Sequence, residues 1–151
     1  MKKHVSCVRT CLVKEGSVLY ESKSGERTIT SPREAADFAA SFFNGADKEM
    51  IYICCLDAIY QPVCMEMTAK GGSSWCNAEP AQVFKTAILS NASGIICFHN
   101  HPSGNCTPSK EDKSLTRRLK EAGELLGIKL WDHIVLGDNR FFYSFKEAGI
   151  L

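Results

Sequence analysis

Two histidines and an aspartate lie close together in the run Phe98-His99-Asn100-His101-Pro102-Ser103-Gly104-Asn105-Cys106-Thr107-Pro108-Ser109-Lys110-Glu111-Asp112. Imidazole nitrogens and a carboxylate are typical donors for catalytic zinc, which takes three protein ligands and leaves a fourth position to water. For these groups to meet, the backbone must carry them to one place. Gly94-Ile95-Ile96-Cys97-Phe98 is short, apolar and β-branched, the pattern of a buried strand. Strand side chains alternate faces, so His99 and His101 leave its end on the same side. Pro102 cannot donate to a sheet ladder and helps to end the strand. A loop containing Gly104 then leads to Ser109 and Asp112 at the start of a periodic helix, whose buried stripe is Leu115, Leu119, Ala122 and Leu126. Each fragment alone has an ordinary reading: H-x-H pairs occur on many strands, and Ser-x-x-Asp is a helix N-cap pattern. Together they place two imidazoles and a carboxylate where a buried strand ends and a helix begins.

The rest of the chain predicts what must surround that junction. Ser31-Pro32-Arg33-Glu34 is a helix start, with Ser at the N-cap, Pro at the first helical position and Glu at the capping-box position. This helix runs through Ala35, Phe38, Ala39 and Phe42 to a stop at Asn44-Gly45. Residues 49–57 read as a central strand, hydrophobic nearly throughout. Glu49 stands at its mouth, where partial desolvation raises a carboxylate's pKa and makes it a better base. A second strand is expected over 59–68, with Pro62 marking an edge or a bulge. After a Gly71-Gly72 turn, a short strand around Trp75 and Cys76 precedes an amphipathic helix over 80–92, with Val83, Phe84, Ala87 and Ile88 at helical spacing.

Beyond the helix at 109–126, which stops at Gly127, strands over 128–136 and 140–145 flank the turn Gly137-Asp138-Asn139. Asp132-His133 lies in the first of them. A hydrogen-bonded pair behind the metal ligands and a purely structural pair are both open, and no catalytic role is assigned to it. At the other end, runs at 5–13 and 18–20 around Lys14-Glu15-Gly16-Ser17 predict a β-hairpin within an N-terminal arm, residues 1–30. Residues 31–151 then form the main domain.

Composition narrows the class. At 151 residues the chain is of single-domain size, and 44% hydrophobic with 23% charged residues is a globular balance. A net charge of +1 gives no support for nucleic-acid binding, which draws most of its non-specific affinity from excess Lys and Arg. The basic residues of the 109–126 helix are interleaved with Glu111, Asp112, Glu121 and Glu124, the pattern of a solvated face. No run approaches the length of a membrane span, and the apolar stretch after Lys2-Lys3 is broken by Arg9, too poor for a secretory signal. The eight cysteines contain no C-x-x-C pair, and several fall within strands. They read as reduced core thiols of a cytoplasmic protein.

The order H-x-H-P, six residues, then S-x-x-D, is similar to the JAMM signature of the MPN/JAB metalloproteases. The wording His-Asn-His-Pro-Ser-Gly, followed by Pro108-Ser109 and Glu111-Asp112, resembles the bacterial RadC branch of that superfamily. Further likenesses are Asn91-Ala92, Leu126-Gly127-Ile128, Asp132-His133-Ile134-Val135 and the closing stretch 144–151, so the resemblance covers about residues 31–151. It implies the MPN/JAB fold, an α/β sandwich with a central mixed sheet flanked by helices, similar to the cytidine deaminases. It implies Zn2+ held by His99, His101 and Asp112, oxyanion stabilisation by Ser109, and Glu49 as general base. Glu66 is the alternative base, since it also precedes the His strand. The implied activity is hydrolysis of a peptide or isopeptide amide in a peptide or protein substrate.

The chain departs from the family in places. Longer RadC proteins carry an N-terminal helix-hairpin-helix module, a DNA-binding element with no counterpart in this sequence, and Asn77-Ala78-Glu79-Pro80 replaces the usual Pro-Arg-Glu wording. Cys106 enters the site loop, either as a neighbour of the metal or as an oxidation-sensitive thiol. Two other functions stand beside the hydrolase: a non-catalytic MPN interaction scaffold, and an accessory role in DNA repair, which the RadC label implies. Scaffold MPN domains commonly lack the metal ligands, whereas Glu49, His99, His101, Ser109 and Asp112 are all present here. A zinc nucleobase deaminase needs H-x-E and P-C-x-x-C, and the sequence has neither.

Overall fold

The computed structural model describes residues 5–17, 28–71 and 78–151. Helix α1, Pro32–Ala40, begins as its sequence predicts, with Ser31 Oγ accepting the Glu34 amide at 3.2 Å. Glu34 reaches further back than a capping box, and its carboxylate takes the Thr30 amide at 2.9 Å and the Thr30 hydroxyl at 2.7 Å. The α-helix ends before Phe42, which falls in a 3-10 turn over Ser41–Phe43.

The strands are β1 (Met50–Leu56), β2 (Pro62–Lys70), β3 (Gly94–Asn100), β4 (Lys129–Leu136) and β5 (Phe142–Ser144). They form one mixed sheet in the order β2-β1-β3-β4-β5, parallel between β3 and β4 and antiparallel elsewhere. This is the α/β sandwich expected from the sequence, with β1 flanked on both sides and Pro62 on an edge strand. The register also shifts at Cys55/Leu56, beside Pro62, so the proline marks an edge and an irregularity together. β2 starts later than the expected position 59. Asp57 Oδ1 accepts the Ile59 and Gln61 amides, each at 2.9 Å, and folds 57–60 into a turn with Tyr60 at φ 63°.

The other two helices are α2, Pro80–Leu89, and α3, Lys110–Leu126. α2 is shorter than expected because Asn91 turns to φ 53°. α3 runs from an N-cap at Ser109 to Gly127, whose left-handed φ of 70° ends it. β5 is likewise short, since Asn139 and Arg140, at φ 52° and 64°, belong to a tight turn rather than to a ladder. On one sheet face, α2 and α3 bury Val83, Phe84, Leu115 and Leu119 against Ile51, Ile53, Ile95 and Cys97. On the other, Ala35, Ala36 and Ala39 of α1 pack on Cys54, Leu56, Ile96, Phe98 and Ile134. Covered on both faces, β3 is buried along its whole length, which explains its unbroken apolar run.

Only part of the expected N-terminal hairpin falls among the described residues. Residues 5–17 are exposed and carry no helix or strand, having no ladder partner among the described residues, and 18–20 lie outside the described residues. The strand expected around Trp75 and Cys76 also lies outside them. Among the described residues no helix is long and apolar enough to cross a membrane.

Topology fixes where chemistry can gather. β3, α3 and β4 form a crossover unit, so the end of β3 and the start of α3 share one edge of the sandwich. β1 runs antiparallel to β3 with Ile51 opposite His99. Continuing that register two residues brings Glu49 level with His101.

Candidate metal centre

At this edge four potential metal donors converge. His99 and His101 leave β3 on the same side with their Nε2 atoms 3.0 Å apart. Asp112, in the first turn of α3, places Oδ1 3.1 Å from His99 Nε2 and Oδ2 3.3 Å from His101 Nε2. Glu49 Oε1 stands 3.8 Å from His101 Nε2. The donor atoms of all four residues lie within 4.8 Å of one another, with His99 and Asp112 buried and His101 and Glu49 half-buried.

The spacings suit a shared ion. Zinc at about 2.0–2.1 Å from each donor sets neighbouring donors about 3.3 Å apart; the two histidine Nε2 atoms are 3.0 Å apart, with one Asp112 oxygen 3.1 Å from His99 and the other 3.3 Å from His101. Glu49 is wider at 3.8 Å, and stands beside the group rather than within it. Two imidazoles and a carboxylate suit zinc among the common divalent ions.

Each donor is held by its own device. Asp112 and Ser109 form a reciprocal capping box: Ser109 Oγ accepts the Asp112 amide at 3.1 Å, and Asp112 Oδ2 accepts the Ser109 amide at 2.7 Å. The ordinary reading of Ser-x-x-Asp and the metal reading therefore hold together, since one carboxylate serves both. His101 Nδ1 lies 2.7 Å from the Asn105 carbonyl oxygen. A carbonyl only accepts, so Nδ1 carries a proton and Nε2 is the nitrogen left to face the cluster. Asn100, between the two histidines, turns the other way, with Oδ1 taking the Met50 amide at 2.8 Å and Nδ2 donating to the Lys48 carbonyl at 3.1 Å. It thus grips the chain on both sides of Glu49, whose own carbonyl takes the Gly71 amide at 2.7 Å.

The electrostatics follow from this packing. Burial opposes ionisation of Asp112, but hydrogen bonds from His101 and His99 outweigh it and hold the carboxyl well below the usual carboxylate range. The same Asp112 contact raises the His101 pKa against the effect of burial. The negative charge of Asp112 at this edge thus favours a cation, whether proton or metal, and a metal must displace the proton.

Glu66, the alternative base, stands elsewhere on β2, and its carboxylate accepts the Thr86 hydroxyl of α2. Cys106 packs against Gly137 in the β4–β5 turn and is not part of the cluster. Behind His99 lies a residue to which the sequence assigned no role. His133 Nε2 is 2.9 Å from His99 Nδ1, and its Nδ1 is 2.7 Å from the Thr116 hydroxyl. Burial pushes the His133 pKa well below that of a free imidazole. The preceding Asp132 takes the Ser144 hydroxyl at 2.6 Å and the amides of His133 and Lys146 at 2.7 and 3.0 Å. Asp132 is therefore structural and His133 touches the site, so the pair divides between the two roles left open. The sequence signal that finds His133 is its place in an apolar strand parallel to the His strand. Asn100 and Thr116 carry no comparable signal.

The chain is similar to known bacterial proteins. A protein of Thermotoga maritima named UPF0758 protein is 45% identical over 105 residues, 70% of this chain and 47% of its own length. A UPF0758 protein of Clostridium beijerinckii is 39% identical over 123 residues, 82% and 53% of the two chains. One of Caldanaerobacter subterraneus is 39% identical over 138 residues, 91% and 59%. The chain spans about half the length of these relatives. Residues 29–150 match the model of the RadC-like JAB domain, a stretch that takes in every helix and strand described above. On that match the chain belongs to the RadC-like JAB domain family.

Proposed function

We propose that this protein is a zinc-dependent hydrolase of the JAMM type that cleaves a peptide or isopeptide amide. The observation that carries the reading is the convergence of His99, His101 and Asp112 at the end of β3 and the start of α3, with Glu49 beside them. His99, His101 and Asp112 would hold the zinc, which when bound would supply Lewis acidity to a water and lower its pKa towards about 7. Glu49, fixed at the mouth of β1, takes a proton from the attacking water and returns it to the leaving amine, a role typically worth about 10²–10⁴-fold in rate. Ser109 uses its oxygen to cap α3, and its hydroxyl proton remains to be donated to the developing oxyanion. The substrate is a peptide or protein. The seven free thiols among the described residues agree with a reducing compartment such as the cytoplasm.

The test is elemental analysis of the purified protein and of His101→Ala, followed by mass-spectrometric screening of peptide and isopeptide libraries. About one zinc per chain, lost in His101→Ala, is expected. Glu49→Gln is expected to retain zinc and lose cleavage. A native protein that takes up no zinc when supplied with it would refute the hydrolase and favour an interaction scaffold. Cleavage that persists in Glu49→Gln would remove Glu49 from the mechanism. A DNA-repair role rests on the family label alone, and the net charge of +1 lends it no electrostatic support.

A further inference from the structure

We infer that Thr116 and His133 form a buried hydrogen-bonded chain that orders the ring protons behind the metal centre, so that His99 carries its proton on Nδ1 and turns a bare Nε2 toward the metal position. The inference rests on the reading of His99 as a metal ligand and makes Thr116 and His133 positioning residues for it.

The direction of the chain follows from counting protons. The Thr116 hydroxyl has one hydrogen and two neighbours at 2.7 Å, the Asp112 carbonyl oxygen and His133 Nδ1. A carbonyl oxygen can only accept, so that contact is a hydrogen bond only if Thr116 donates to it. Thr116 Oγ1 must then accept from His133, which puts a proton on His133 Nδ1. The opposite direction would leave two oxygens facing each other at 2.7 Å with no hydrogen between them. His133 is fully buried, its ring stacked on Phe145 with centroids 5.0 Å apart and planes at 11°. A neutral imidazole has one ring proton; with it on Nδ1, His133 Nε2 is bare and accepts from His99 Nδ1 at 2.9 Å.

With Nδ1 protonated, Nε2 is the His99 nitrogen that faces Asp112 Oδ1, and it would become bare when a metal displaces the proton held there. His101 reaches the same state through the Asn105 carbonyl. One ligand is therefore set by a loop carbonyl and the other by a side-chain chain that returns to the helix bearing Asp112. Through Thr116 and the Asp112 carbonyl, the orientation of His99 is tied to the first turn of α3. Partners of this kind orient ligand imidazoles, and their loss typically lowers metal affinity about 10–100-fold.

The experiment uses ¹⁵N-histidine-labelled protein with and without zinc. Long-range ¹H–¹⁵N correlation reads which ring nitrogen of each histidine carries the proton, and zinc affinity is measured by competition with a chelator. The expected result is His133 protonated on Nδ1 in both forms and His99 on Nδ1 in the zinc form. Thr116→Val, close in shape, should mix the His133 tautomers and weaken zinc binding by about 10–100-fold, whereas Thr116→Ser should restore both. His133→Phe keeps an aromatic ring against Phe145 but removes the acceptor, and should weaken zinc by a similar factor while also lowering the melting temperature, because the buried His99 N–H loses its partner. A native His133 protonated on Nε2, or a Thr116→Val protein with unchanged tautomers and affinity, would overturn the inference. If the tautomers are as expected but the native protein takes up no zinc, the proton order stands and the metal reading falls, so the two failures are distinguishable.

Discussion

Replacing Asn100 by Ala separates the geometry of Glu49 from the integrity of the metal ligands. Asn100 is buried, and its amide makes two hydrogen bonds, at 2.8 Å from the Met50 amide and at 3.1 Å to the Lys48 carbonyl. Truncation leaves these two backbone groups in different environments. Met50 is buried, so its N–H loses its partner with little access to water, at a cost of about 1–3 kcal/mol. Lys48 is exposed, and water can replace the lost donor at its carbonyl for much less. The net loss is then about 2 kcal/mol, which for a chain of this size lowers Tm by about 4–8 °C. The proposed zinc ligands lie on β3 and at the start of α3, so on the proposed mechanism zinc content should stay near one per chain while cleavage falls as Glu49 loses its fixed position. Asn100→Asp keeps an acceptor for Met50 but loses the donor to Lys48, and should retain more stability than Ala. Thermal melts of metal-loaded protein with elemental analysis of the same samples read both effects. A Tm within about 1 °C of native would show that the Met50 amide finds another partner, and loss of zinc would show that Asn100 supports the ligands themselves.

Three further outcomes follow from local geometry. Ser109→Ala removes the acceptor for the Asp112 amide and should cost about 1 kcal/mol of stability with zinc retained, read by urea titration and elemental analysis; its cleavage rate should fall about 10²–10³-fold if its hydroxyl stabilises the oxyanion. Gly123→Ala should destabilise although helix propensity alone favours Ala by about 1 kcal/mol, because the added Cβ meets the Ile128 carbonyl and comes within 3.2 Å of the Phe84 ring; a higher urea midpoint would show that the α3–β4 junction can yield. The Cys64 thiol is pulled below the usual thiol range, chiefly by Cys55, its cross-strand neighbour, against the effect of burial. Site-resolved alkylation by iodoacetamide should therefore show its inflection at a lower pH than that of an ordinary cysteine, and Cys55→Ala should move the inflection upward.

The parts of this site that were legible in the sequence are those in which one chain segment determines its own geometry. His99 and His101 share a side because strand side chains alternate, and Asp112 stands at a helix start because Ser109 caps it. Glu49 was legible only as a charge at the mouth of an apolar run. Its preference over Glu66 depends on β1 lying antiparallel to β3, a pairing between segments some fifty positions apart that no local pattern encodes. His133 illustrates the same limit more sharply. Its strand was expected, and so was the helix carrying Thr116, but their meeting requires β4 to return parallel beside β3 with α3 laid over both. The N-terminal run shows a related limit. The apolar and β-branched residues at 5–13 suit a strand only if another strand offers them a ladder, and Val5, Val8 and Val13 stand exposed, while 18–20 lie outside the described residues. Local pattern thus states what a segment can become, while pairing across the sheet decides whether a histidine faces a metal, a threonine or water. His133 and Thr116 are therefore a stricter test of the site than its ligands, because their placement depends on the whole crossover from β3 through α3 to β4 being right.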